Sequence, residues 1–133
     1  MHALFAKADA ITKSVRGGAI EAHRALGPGL LEGIYERCLA HELKLRGFEC
    51  INQKQVSVAY KDLKFDEALR FDLLVNGCLL LELKAVQGVL PIHKAQLLSY
   101  MKLVDVPLGL LINFHEEILT DGVHRMILPR ANL

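Results

Sequence analysis

The stretch Leu69-Arg70-Phe71-Asp72-Leu73-Leu74-Val75-Asn76-Gly77-Cys78-Leu79-Leu80-Leu81-Glu82-Leu83-Lys84-Ala85-Val86 reads as two apolar strands around a tight turn. Asn76-Gly77 carries the hairpin signal, because both residue types tolerate the positive φ that tight hairpin turns demand. The flanking runs, Leu69 to Val75 and Leu79 to Val86, are strand-sized and almost wholly apolar. Three charged side chains interrupt them: Asp72, Glu82 and Lys84. Side chains alternate along a strand, so Glu82 and Lys84 share a face. A two-residue turn at Asn76-Gly77 pairs position 72 roughly with position 81; a slip of one residue puts Asp72 beside Glu82 instead.

Upstream, the period is helical. Ile11 to Leu26 spaces Ile11, Val15, Ala19, Ile20 and Ala22 as one helix face, weakened by Gly17-Gly18. Gly27-Pro28-Gly29 breaks the chain. A second helix is expected from about Leu30 to Arg46, with Leu31, Ile34, Cys38, Leu39 and Leu43 as its apolar stripe and Gly47 as its stop. Phe48 to Tyr60 then alternates like a half-buried strand, followed by a turn at Lys61-Asp62. Downstream of the hairpin, Pro91 opens a helix over about Ile92 to Val104, with Leu97, Leu98, Met101 and Val104 inward. Leu108 to Phe114 suits a strand covered on both faces, and Val123 to Leu128 a last short strand before a frayed tail. The expected class is α/β, a central mixed sheet flanked by helices in the order ααβββαββ.

The 133 residues suit one domain, 1–133, with no repeat or linker, and are enough to bury a core without metal or disulfide staples. No apolar run approaches the roughly 18 residues of a membrane span, and the start of the chain lacks a signal-peptide pattern. A cytoplasmic location without membrane contact is therefore expected. Three cysteines without a Cys-x-x-Cys pair argue against a disulfide framework or a Cys-rich zinc site. Cys38 and His41, one helical turn apart, read as a core thiol beside a surface imidazole. The net charge of +1 excludes a strongly basic nucleic-acid coat. Basic residues prevail in the first half and acidic ones in the second, as a cation-binding domain would have them.

Ionised groups in apolar strands are costly unless paired or metal-bound. Two adjacent carboxylates repel, and a divalent cation relieves the repulsion; Mg²⁺ accepts one or two carboxylates and fills its shell with water and phosphate oxygens. Lys84 can then orient water and offset charge on a phosphate. Spacing alone equally fits an exposed strand face with a surface ion pair. Glu32 and Glu36 lie four apart on one helix face, although an acid at a helix start is also favoured by the macrodipole. Gln96 and Tyr100 are likewise four apart and share a face with His93, a pattern that also fits an amphipathic boundary.

Taken together, helix Glu32, strand Asp72, Glu82-Leu83-Lys84 and then Gln96 with Tyr100 resemble the PD-(D/E)XK nuclease superfamily. The Gln-x-x-x-Tyr step is similar to its RecB/Cas4-like exonuclease branch. The stretches Leu26 to Glu32, Glu82 to Val86, Ala95 to Tyr100 and Leu110 to Phe114 resemble the small bacterial GxxExxR proteins, over roughly residues 11–128. The resemblance implies a restriction-endonuclease-like core with Mg²⁺ or Mn²⁺ held by Asp72 and Glu82. It further implies that Lys84 serves the water, Glu32 assists through water or metal, and Gln96 and Tyr100 contact substrate or brace the site. Tyr35 stands where the family name has Arg, and Phe71 where the superfamily name has Pro. The expected activity is metal-dependent hydrolysis of phosphodiester bonds, with DNA as the expected nucleic acid and room for a homodimer or protein partner. The competing reading is a non-catalytic nucleic-acid-binding or protein-interaction module that retains the fold.

Overall fold

The computed structural model describes all 133 residues. Two helices, α1 (Phe5–Leu26) and α2 (Glu32–Leu45), precede three strands, β1 (Cys50–Tyr60), β2 (Leu63–Val75) and β3 (Leu79–Lys84). Then follow α3 (Pro91–Val104), β4 (Leu108–Asn113), a 3₁₀ turn at Leu119–Gly122 and β5 (Val123–Ile127). The strands lie side by side in chain order; only the β3/β4 pair is parallel, joined through α3. The expected mixed sheet flanked by helices is what forms. No helix is long and apolar enough to cross a membrane.

Alternation along β3 divides the core. Leu79, Leu81 and Leu83 join a cluster with Val15 and Ala19 of α1 and Tyr35, Leu39 and Leu43 of α2. Leu80 belongs to a second cluster on the opposite face, with Leu97, Met101 and Val104 of α3. All six residues of β4 are buried, as expected of a strand covered on both sides. Gly109 makes room for α3: a Cβ there would meet Met101 Sδ at 2.8 Å and the Leu80 carbonyl oxygen at 3.2 Å.

Several boundaries differ from the sequence reading, each for a tertiary reason. α1 begins at Phe5 and runs through Gly17-Gly18. The glycines are where α2 presses close: a Cβ on Gly18 would sit 3.0 Å from Leu43 Cδ2, and one on Gly17 3.1 Å from Arg46 Nη1. On α2 the inward residues are Tyr35, Leu39 and Leu43, whereas Leu31 and Ile34 are exposed. β2 starts at Leu63, because Leu63 to Ala68 pairs with β1 in a long ribbon beyond the sheet. β3 stops at Lys84, and the side chain of buried Asn113 holds the next segment in place of a strand ladder. Its amide donates to the Val86 carbonyl at 2.8 Å and its oxygen accepts from the Val86 N–H at 3.1 Å. The tail is tied down, with Ala131 buried and its carbonyl accepting from the His2 N–H at 2.8 Å.

The seat of α3 on the sheet is testable. Gly109→Val should lower unfolding stability by about 1–3 kcal/mol, since methyl groups would be forced against Met101 and the β3 backbone. A urea midpoint equal to wild type would show that α3 does not approach β4 this closely.

Candidate active site on the central hairpin

The hairpin loop has three residues, Asn76, Gly77 and Cys78, because Val75 pairs with Leu79, Leu74 with Leu80 and Leu73 with Leu81. This corrects the expected two-residue turn. Asn76 and Gly77 both have positive φ, 50° and 67°, and Cys78 is fully buried as the third member. The extra residue sets which face each side chain takes. With a two-residue turn, Asp72 would stand opposite Leu81 and face the α1/α2 core. With three, it comes beside Glu82, on the face where Leu74 and Leu80 point.

A bulge reinforces this placement. Between the pairs Ile51↔Leu74 and Gln53↔Arg70, Asn52 alone stands against Phe71, Asp72 and Leu73. Phe71 is consequently buried on the same face as Leu74, although simple alternation would send it to the other side. Bulges of this kind re-aim side chains and favour the edges of functional sites. Here the Asp72 side chain stands in for the ladder: Oδ2 accepts the Leu83 N–H at 2.7 Å. Glu82 Oε1 in turn accepts the Asp72 N–H at 3.3 Å.

Lys84 follows Glu82 on the same face, half-exposed. From α2, Glu32 Oε1 accepts the Ala85 N–H at 3.2 Å, so the first turn of α2 is pinned to the end of β3. Tyr35 sets that turn in place. Its ring is fully buried and stacks on Phe114 at 4.5 Å, while its hydroxyl accepts from Leu30 N at 3.0 Å and donates to the Gly27 carbonyl. Tyr35 therefore braces the loop leading to Glu32.

The electrostatics are those of crowded acids. Burial pushes the Glu82 carboxyl up to about 7, helped by the Asp72 charge and opposed by Lys84. Burial also raises Asp72, with the Leu83 N–H pulling the other way and the Glu32 charge adding to the rise. Glu36 is raised by burial, then by Asp72 and Glu32. The structure thus brings Glu32, Asp72, Glu82 and Lys84 together and adds Glu36. The i,i+4 spacing to Glu32 was its signal in the sequence. Gln96 and Tyr100 are not drawn in: Gln96 is exposed on α3, Tyr100 is half-buried against the α3 core, and neither hydrogen-bonds to the carboxylates.

The donor set fits a hard divalent cation. Asp72 and Glu82 offer adjacent, desolvated carboxylates whose mutual repulsion a cation would remove. No three His, Cys, Asp or Glu side chains are grouped to hold an ion, so water and substrate oxygens would complete the shell, which suits Mg²⁺ better than a closed zinc-type site. Among known proteins, the family model for the PD-(D/E)XK nuclease superfamily matches residues 9–126. No curated protein and no solved structure matches.

Raised carboxyl pKa values have a signed consequence. With its carboxyl pushed up to about 7 by burial, the folded protein holds a proton on Glu82 above the ordinary carboxyl value of 4.5, where the unfolded chain has released it. Metal-free stability should therefore be full below about pH 4.5 at this group and fall as pH rises to about 7, by up to about 3 kcal/mol. Chemical denaturation across that range should show the fall in wild type and a flatter profile in Glu82→Gln. Parallel profiles would mean that Glu82 is not desolvated.

Proposed function

From the premise that the chain belongs to the PD-(D/E)XK nuclease superfamily, we propose that it is a Mg²⁺- or Mn²⁺-dependent deoxyribonuclease of the GxxExxR kind. Its reaction centre on this reading is the Asp72–Glu82–Lys84 constellation, with Glu32 assisting. The observation that carries the proposal is the register of the hairpin. A three-residue loop and a bulge bring two acids side by side in otherwise apolar strands, where burial raises the pKa of both carboxyls.

Asp72 and Glu82 would hold the cation through the carboxylate oxygens not occupied by Leu83 and Asp72 N–H groups. When bound, such a cation supplies Lewis acidity toward the phosphate and makes a water acidic enough to attack. The residues do the remainder. Lys84 projects from the same face as Glu82 and orients the attacking water, with its charge offsetting the negative charge that builds on the phosphate oxygens. Glu32, fixed by Ala85 N–H at the end of β3, supports the water shell. Attack forms one phosphorus–oxygen bond and breaks the bond to the leaving sugar oxygen, which takes up a proton. Gln96 and Tyr100 serve on the substrate side: Gln96 is exposed and can offer donor and acceptor, and Tyr100 is half-buried against the α3 core.

Two measurements test this. Mg²⁺ or Mn²⁺ should raise the melting temperature of wild type by mass action, and Asp72→Asn should lose most of that rise; an equal rise in the variant would remove Asp72 as a ligand. With labelled DNA and RNA panels, Lys84→Ala should cut turnover about 10²–10⁴-fold while the metal-induced rise survives. Full activity in the variant would take Lys84 out of the reaction, and no cleavage of any substrate by wild type would favour a non-catalytic binding module.

A further inference from the structure

The helix that presents Glu32 and Glu36 carries a second set of residues on an adjoining face. Arg37, His41 and Lys44 recur at i, i+4 and i+7, so they form one ridge about 10 Å long. All three are exposed. Arg37 and Lys44 lie in no salt bridge, whereas the neighbouring Glu42 is neutralised by Arg46 at 2.7 Å. The ridge therefore presents uncompensated positive charge.

Two adjoining hollows of about 500–600 Å³ run between α2 and the start of β1, and a third of similar size lies along α2 itself, beside Ile34 and Cys38. Arg37 lies between two of them, and His41 and Lys44 line the one at the far end. The middle hollow opens beside Glu36 and Leu73, at the bulge that aims Asp72, and its opposite wall carries the amides Asn52 and Gln53. At the far end, Glu49 reverses the sign of the charge and closes the path.

We propose that this groove is the track for one strand of the nucleic acid, leading away from the carboxylates. Arg37 holds the phosphate nearest the reaction centre, His41 and Lys44 hold the next ones, and Asn52 with Gln53 meets a base edge. The occupant is a polyanion because the ridge is cationic and unpaired, and the middle hollow starts at Glu36, whose carboxyl lies near enough to Asp72 to be raised by its charge. This rests on the nuclease reading above and adds to it the path of the bound strand.

Binding of a fluorescein-labelled single strand of about 20 nucleotides, followed by anisotropy in Ca²⁺ as the hard cation, tests the track. Arg37→Ala with Lys44→Ala should weaken binding about tenfold near 0.1 M salt and reduce the slope of log affinity against log salt by about 1.4. Lys102→Ala, an exposed lysine on α3, should leave both unchanged. Cooperative melting and an unaltered metal-induced rise in melting temperature show that the double variant is folded and its carboxylates intact. Affinity and salt slope equal to wild type in that folded variant overturn the track even if cleavage is robust. Binding that depends on Arg37 and Lys44 in a wild type that never cleaves supports the track and removes the hydrolytic reading. If the double variant instead abolishes a concentration-dependent self-association without touching oligonucleotide binding, the groove belongs to a second copy and the proposal falls.

Discussion

Everything at this site depends on two carboxylates being held side by side, partly out of water, on neighbouring strands. Asp72 and Glu82 each accept a backbone N–H from the other's strand, just beyond the last ladder pair, Leu73 with Leu81. The exchange satisfies the backbone but leaves the charges poorly compensated. The rise of Glu82 to about 7 is the measure of that strain. Asparagine and glutamine could accept the same two N–H groups without the like-charge repulsion, so the hydrogen bonds alone do not call for two carboxylates. Retaining both is intelligible if the repulsion is relieved by a bound cation when the protein works.

The remainder of the fold can be understood as the frame that enforces this pair. Buried leucines at 73, 74, 79, 80, 81 and 83 lock the register of β2 against β3, since a slip of one residue would turn each of them toward the wrong face. Asn113 secures the end of β3 by side-chain hydrogen bonds to Val86, just past Lys84. Tyr35, stacked on Phe114, secures the loop before α2, and through it Glu32. Both braces are buried polar groups with their partners satisfied, the circumstance in which such groups confer rigidity without a desolvation penalty.

α2 joins the two kinds of chemistry. Its inner face packs on the sheet through Tyr35, Leu39 and Leu43, one flank turns Glu32 and Glu36 toward the carboxylate pair, and another presents Arg37, His41 and Lys44 to solvent. Acids and bases are thus separated by less than a turn of helix. That separation explains why a chain of net charge +1 can still offer a polyanion a locally positive approach.

The sequence by itself determined the element order, the helix starting at Pro91, the fully buried β4 strand and the identity of the charged residues on the hairpin. These follow from periodicity, from turn chemistry at Asn76-Gly77 and from the cost of placing charge among leucines, all of which are local. It also carried the i,i+4 pair Glu32 and Glu36. Only the tertiary structure decided that the hairpin loop has three residues, because burial of Cys78 and the pairing of three leucine-rich rows select the register. It likewise decided that Leu31 and Ile34 face outward while Tyr35 faces in, stacked on Phe114, a contact that no local preference encodes. The meeting of Asp72 with Glu82 is of the same kind: a parity choice between two faces of a sheet, both covered by core, which the apolar pattern of the strands does not settle.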